Sequence, residues 1–318
     1  WQITWRFSLW QILKNVDLGF SHLYYFCLFG LALFHQHPPM NPTEVFNGNM
    51  AVAIAEAVGI GATINVNEIN RDTRALIGNL DLTEDKPVAS NHTIDSEEDV
   101  EVKATNAGTI VNVSVAGAAA SGALAVTDQS VEDTKSGGKF GIGASFNVAL
   151  NELEYSTLAY VHDAVLDSVD LSVQANNDSD IFALSGTVAL NVGAGTSVSA
   201  AVAGAYSQNT LANSTSAFID NSQLRLSGDL TVLAESDSHI LALGASGAVA
   251  TGKTGIAVVG QITINDLNSI TEASIVNNSD VIAKNVKVVA RDESNITAVA
   301  GALAFGGRGG VGAAISIN

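Results

Sequence analysis

The chain has 318 residues, 32 of them acidic against 14 basic, for a net charge of -18. That balance argues against nucleic-acid binding, because too few cations are present to neutralise phosphates. Hydrophobic residues make up 47%, which excludes a disordered acidic tail. Only 6% are aromatic and 29 residues are Gly, so any core must be thin and built from small or β-branched side chains. A single cysteine, Cys27, excludes an intramolecular disulfide framework and a four-cysteine zinc site.

Residues 1–47 differ in character from the rest of the chain. They hold 11 of the 19 aromatic residues, including Trp1, Trp5 and Trp10, and lead into Pro38, Pro39 and Pro42. The apolar stretch Leu18–Phe34 is short for a spanning helix of about 20 residues, and a signal-type hydrophobic region fits it comparably. The segment reads as helical, or as sequence foreign to the rest, with a boundary near residue 48.

From residue 48 the chain repeats. One pattern, Asn–x–Ile/Leu–x3–Thr–x–Ala–x–Ile/Val, starts at Asn67, Asn151, Asn209 and Asn265. A second block comes after each copy and ends at Ala104, Ala175, Ala234 and Ala290; six residues later come Ile110, Ile181, Ile240 and Ile296. A truncated fifth copy ends at Asn318, so the array reads as continuing into further repeats of the same chain. Successive asparagines are 84, 58, 56 and 53 residues apart (67, 151, 209, 265, 318). The long first interval contains the acidic stretch 81–101 and the stretch DQSVEDTKSGGK at 128–139, both expected to be loops.

The matched positions of the Asn-led block lie at even offsets, so they share one face of a strand, while Glu68, Asn70, Asp72 and Arg74 point away. Val286, Val288, Ala290 and Ile296 keep the same period in the second block. Just before each Asn the apolar phase reverses at Ile64 and Val66, which predicts a corner there with Asn in left-handed backbone. Stacked copies would then form an asparagine ladder. The fold class expected is all-β: an elongated β-solenoid, or parallel β-helix, of about 56-residue repeats. The number of coils per repeat stays open, and antiparallel hairpins turning at TGKTG (251–255) are the alternative.

The stretches GIGATINVNEINRDTRALI, GIGASFNVALNELEYSTLAYV, GIAVVGQITINDLNSITEASI and GALAFGGRGGVGAAISIN resemble the repeat region of large filamentous bacterial adhesins, of the filamentous-haemagglutinin-like and leukotoxin-A types. The resemblance runs from about residue 50 to 318, and the aromatic N-terminal segment departs from it. It implies a rod-like β-helical stalk, secreted or on the bacterial cell surface, with a component of a host or neighbouring cell surface as partner.

No catalytic, cofactor-binding or metal residues are assigned. The histidines His92, His162 and His239 fall at unrelated repeat positions, and His22, His35 and His37 lie in the aromatic segment. The run GGRGG (306–310) lacks the Lys–Ser/Thr of a phosphate loop. Eight carboxylates in 81–101 read as a solvated loop before they read as a calcium site. Asn-x-Ser/Thr occurs at Asn91, Asn112, Asn177, Asn213 and Asn295, at a frequency that chance gives an Asn- and Ser-rich chain. The function expected is a non-catalytic stalk or adhesive segment. The alternative is a β-helical polysaccharide-binding or polysaccharide-degrading protein, which requires a groove with stacking aromatics or clustered carboxylates and cations.

Overall fold

The computed structural model describes residues 26–36, 43–79, 92–121, 124–125, 139–193 and 198–318. Among them every regular element is a strand. The first sheet holds β1 (Phe26–Gln36), β3 (Val58–Gly78), β7 (Lys139–His162), β10 (Val198–Asp220), β13 (Thr254–Val276) and β16 (Gly309–Ile317), side by side in that order. The second holds β2 (Thr43–Ala55), β5 (Val100–Ala120), β9 (Leu171–Val192), β12 (Leu230–Thr251) and β15 (Val286–Gly306). A short third sheet, of β4 (Thr93–Asp95), β8 (Val165–Ser168), β11 (Gln223–Leu226) and β14 (Asp280–Ile282), closes one end.

The pairing along all three sheets is parallel, which rejects the hairpin alternative. Among the described residues only the two-residue β6 (Leu124–Ala125) pairs antiparallel, against Lys139 and Phe140 of β7. The chain is a β-solenoid. Asn151, Asn209 and Asn265 are direct partners across neighbouring strands, so one repeat is one coil made of a long, a short and a long strand. Apart from β1, β2, β16 and the two-residue β6, the strands of the two large sheets are 21 to 24 residues long. At a rise of about 3.3 Å per residue each such strand is about 70 Å long, whereas successive coils are only about 4.8 Å apart.

The described part of the aromatic segment joins this stack. β1 pairs with β3 from Phe26↔Gly59 to Gln36↔Ile69. β2 runs through the boundary expected near residue 48, and its buried Val45 and Asn47 pair in register with Ile110 and Asn112. The expected 81–101 loop is also partly scaffold: β4 and the start of β5 occupy its second half, and residues 80–91 lie outside the described residues. Most of the 128–139 insertion lies outside them as well.

The interior has three zones. At the closed end Leu166, Leu171, Val173, Ile219, Leu224, Leu230 and Val232 fill an apolar core. In the middle Ile69, Leu153 and Leu211 face Ile110, Ile181 and Ile240, as the even-offset pattern requires. Towards the open end, where the long strands of the two sheets meet at turns, the core shrinks to Ala201, Ala203, Ala248, Ala250, Ala257 and Val259.

The expected corner before each Asn does not exist. β3 runs straight from Val58 to Gly78 with one parity, burying Gly59, Gly61, Thr63 and Asn65 and leaving Ile60 and Ile64 on the outer surface. The apolar side chains there are on the outside, so the apparent phase reversal is a reversal of which face is apolar. The left-handed residues sit instead at the junction with the third sheet: Asp163 (φ 54°), Asn221 (φ 44°), Asn277 (φ 42°) and Asn278 (φ 22°). Short polar side chains tolerate that conformation.

Near the open end the two sheets touch backbone to backbone. A Cβ on Gly61 would lie 2.0 Å from the carbonyl oxygen of Gly117, and one on Gly143 would lie 2.5 Å from that of Leu190. Glycine is required there for close approach, not for turning. Gly61→Ala is therefore expected to lower stability by about 1–3 kcal/mol through overpacking. Urea unfolding should register the loss, with Gly48→Ala, whose Cβ would meet only the Phe46 ring at 3.5 Å, as the control.

Candidate functional site

The polar chemistry of the molecule is concentrated in columns that run along the coil axis. The main one is an asparagine ladder. Nδ2 of Asn67 donates to Oδ1 of Asn151 at 2.6 Å and that of Asn151 to Asn209 at 2.7 Å, while Asn47 of the second sheet donates across the core to Asn67 at 2.7 Å. Asn209 then donates to Asn265 at 2.8 Å, and Asn265 to Asn318 at 2.7 Å. The sequence pattern identified Asn67, Asn151, Asn209, Asn265 and Asn318 as equivalent, and the structure brings them into one line. The corner role expected of them is replaced by this interior, mid-strand one.

The ladder branches in the first coils. Asn112 of the second sheet donates to Oδ1 of Asn151 at 2.7 Å, and Asn65 donates to Asn112 at 2.8 Å. Further towards the open end Asn147 accepts from Thr63 at 2.8 Å and from Ser114 at 2.6 Å. In later coils Gln261 replaces this cluster, accepting from Ser246 at 2.7 Å and donating towards Ser185 and Thr263 at 3.3 Å each. These buried amides and hydroxyls were not singled out by sequence reasoning, because Thr63, Asn65 and Asn147 stand on a face assigned to solvent.

Two places with buried ionisable side chains interrupt the repetition. Arg71 lies four residues after Asn67, at a variable inward position occupied by Tyr155, Asn213 and Ser269 in the later coils. It is 8% exposed, donates to Asn106 at 3.0 Å, and holds its guanidinium carbon 5.5 Å from the centre of the Tyr155 ring, a cation–π contact. Burial raises the Tyr155 hydroxyl above its ordinary pKa, and the Arg71 charge opposes that shift.

His162 sits at the junction with the third sheet, 1% exposed, with Nδ1 3.1 Å from Asp220 and Nε2 3.4 Å from Asp163. Asn221 donates to Asp163 and Asn277 to Asp220, each at 2.7 Å, which ties both carboxylates into the corner column. His239 is half-exposed on the outer face beside Asp237 at 2.9 Å, and His92 is exposed. His22, His35 and His37 fall where no side chain is described.

Among the described residues no group of His, Cys, Asp and Glu is arranged to hold a metal ion. A shallow depression of about 380 Å³ at the open end is lined by Val249, Thr251, Phe305, Gly306 and neighbouring small residues, with no ionisable side chain. GGRGG forms the turn between β15 and β16, as read from its sequence. Of the glycosylation-type asparagines, Asn112, Asn177 and Asn213 are buried, Asn295 is exposed, and Asn91 lies outside the described residues; a sixth, Asn277 before Asn278 and Ser279, is exposed and donates to Asp220. Comparison with protein-family models, with curated proteins and with solved structures returned no match.

Asn151 is the branch point of the ladder, accepting from two amides and donating to a third. Asn151→Ala leaves those three buried groups without a partner, at about 1–3 kcal/mol each. A loss of more than about 3 kcal/mol in urea unfolding is expected, against less than about 0.5 kcal/mol for Asn70→Ala on the outer face.

On the outer face of the second sheet Asp180 has its pKa raised, first by partial burial and then by Asp178 and Asp237, with His239 opposing. A carboxyl whose folded pKa is raised favours the folded state at low pH, and that preference is lost as pH rises through the folded value. Asp180→Asn should therefore be more stable than the parent at pH 7, by up to about 1 kcal/mol. Melting curves between pH 3.5 and 7 should show the difference shrinking as the pH falls.

Proposed function

We propose that the chain is a structural stalk or adhesive segment of a large secreted or surface-exposed bacterial repeat protein, and that it performs no catalysis. The observation that carries this reading is the coil-to-coil register: Asn209↔Asn265 and Ile240↔Ile296 stand in line, so each repeat presents the next with its own template. A scaffold of this kind grows by addition of equivalent coils without a change in design. The resemblance of residues 50–318 to filamentous adhesin repeats supports the same reading and supplies the setting, a bacterial cell surface facing a component of another cell.

The test uses chains in which the 56 residues from Asn209 to Ile264 (265 − 209) are inserted in one, two or four additional copies. Each added copy should lengthen the particle by about 4.8 Å along one axis while leaving its cross-section constant, as read by small-angle X-ray scattering and electron microscopy. Beads coated with the chain should bind cells or immobilised surface glycoproteins without cleaving them. Added copies that form a separate globule, or release of reducing ends from polysaccharides by the parent chain, would defeat the proposal.

A further inference from the structure

The half of the solenoid nearest the open end carries its apolar side chains on the outside of both large sheets. On the first sheet Ile60, Ala144, Val202, Val258 and Val311 form one outward column, and Ile64, Val148, Tyr206, Ile262 and Ile315 another. On the second sheet Val113, Leu184, Leu243 and Val299 line up, as do Ala119, Leu190, Val249 and Phe305. The inside of the same strands is polar or small: Thr63, Asn65, Asn147, Ser185 and Gln261 are buried and hydrogen-bonded there. This is the reverse of a soluble sheet protein and the polarity of a strand that crosses lipid.

The charge distribution has the same boundary. Residues 58–66, 140–150, 198–208, 254–264 and 309–317 of the first sheet contain no Asp, Glu, Lys or Arg, and neither do 46–55, 111–120, 182–192, 241–251 and 296–306 of the second. Charge resumes on one side at Glu68, Glu152 and Asp266 of the first sheet, where β10 stays uncharged as far as Asp220, and at Lys103, Asp180, Asp237 and Glu293 of the second. On the other side it resumes at the exposed turn residues Glu56, Lys253 and Arg308. These charge-free segments are 9 to 11 residues long, about 30–36 Å of strand, which spans the thickness of a bilayer's hydrocarbon core.

We propose that this half of the solenoid inserts open end first into a lipid bilayer, with the two apolar faces against acyl chains and Lys253 and Arg308 among the far headgroups. A bilayer satisfies both faces at once, whereas one protein partner would cover only one. Within the band each interior coil is hydrogen-bonded to the coils above and below, so it offers lipid no open backbone groups. Open strand edges occur only at the two ends of a stack, so their cost is fixed while the apolar area grows with each coil. The proposal rests on the two faces and not on the adhesive reading.

The experiment is flotation of the full chain, refolded by dilution from urea, with vesicles of phosphatidylcholine and phosphatidylglycerol. A probe is attached in a Cys27→Ser background at Val258→Cys or at Asp266→Cys. The chain should float with the vesicles. The probe at position 258 should be quenched best by lipid labelled deep in the acyl chain, and that at 266 by lipid labelled at the headgroup. The double variant Leu243→Asp, Val258→Asp, both outward-facing and so compatible with the fold, should float at least about tenfold less with an unchanged far-ultraviolet circular dichroism spectrum.

A folded parent chain that stays at the bottom of the gradient would overturn the proposal, as would equal flotation of the double variant. So would concentration-dependent association of the chain in buffer, abolished by the same two substitutions and unaccompanied by flotation. In that case a second copy is the occupant of these faces.

Discussion

In-register parallel stacking is the constraint on which the other features depend. Each side chain lies over its counterpart one coil away, so an interior position is tolerable only if copies of the same group can satisfy one another along the axis. A primary amide meets that demand, since it donates with one atom and accepts with another. The line from Asn67 through Asn151, Asn209 and Asn265 to Asn318 is the result. A carboxylate cannot do so, because a column of acceptors has no donor and accumulates like charge. Accordingly the inward rows of the long strands hold mostly amides, hydroxyls and aliphatics; among the described residues the inward Arg71 finds Asn106 and the Tyr155 ring, and Asp292, in the inward column of Asn106, Asn177 and Ser236, accepts from Ser269 and Thr271.

The same stacking converts every local preference into a stripe. A single outward Ile on a lone strand would be unremarkable. Repeated as Ile60, Val202, Val258 and Val311 it becomes a continuous apolar row, and several such rows make a face. The thickness of the interior sets where those faces lie. Leu and Ile hold the sheets apart near the third sheet, whereas Gly61 and Gly143 let the backbones touch at the open end, where the room left inside takes Ala, Thr63 and Val259 but not a row of Leu or Ile. Larger apolar residues in that half can only be placed outside.

This explains which parts of the fold could be read from the sequence. The Asn-led block obeys the rule that apolar alternation marks the buried face, and Asn67, Ile69, Leu153 and Leu211 lie inside as that rule requires. The ladder is legible from the spacing, because identical positions one repeat apart must be neighbours in a stack. The rule fails one step earlier in the strand, at Ile64 and Asn65, where the polar residue is inside and the apolar one outside. A reading that equates apolar with buried must insert a corner there. The actual corner is marked by Asp163, Asn221 and Asn277, which recur after the Asn-led blocks but fall between the two repeating patterns. His162 and Arg71 escape a search for repetition because each occurs in a single coil.

Repetition also bears on where chemistry is able to arise in such a molecule. Catalytic and metal sites need unlike groups to converge, and a column brings together like groups. Unlike groups meet where the register is interrupted, as where Arg71 lies beside Tyr155, or at the bend where His162 lies between Asp163 and Asp220. In both places neighbouring amides take up part of the mismatch, Asn106 for the arginine and Asn221 and Asn277 for the two carboxylates, while Arg71 Nε, both ring nitrogens of His162 and Asp163 Oδ2 have no hydrogen-bond partner. Both exceptions are buried within the stack, and the long outer faces are the larger surface that it presents to its surroundings.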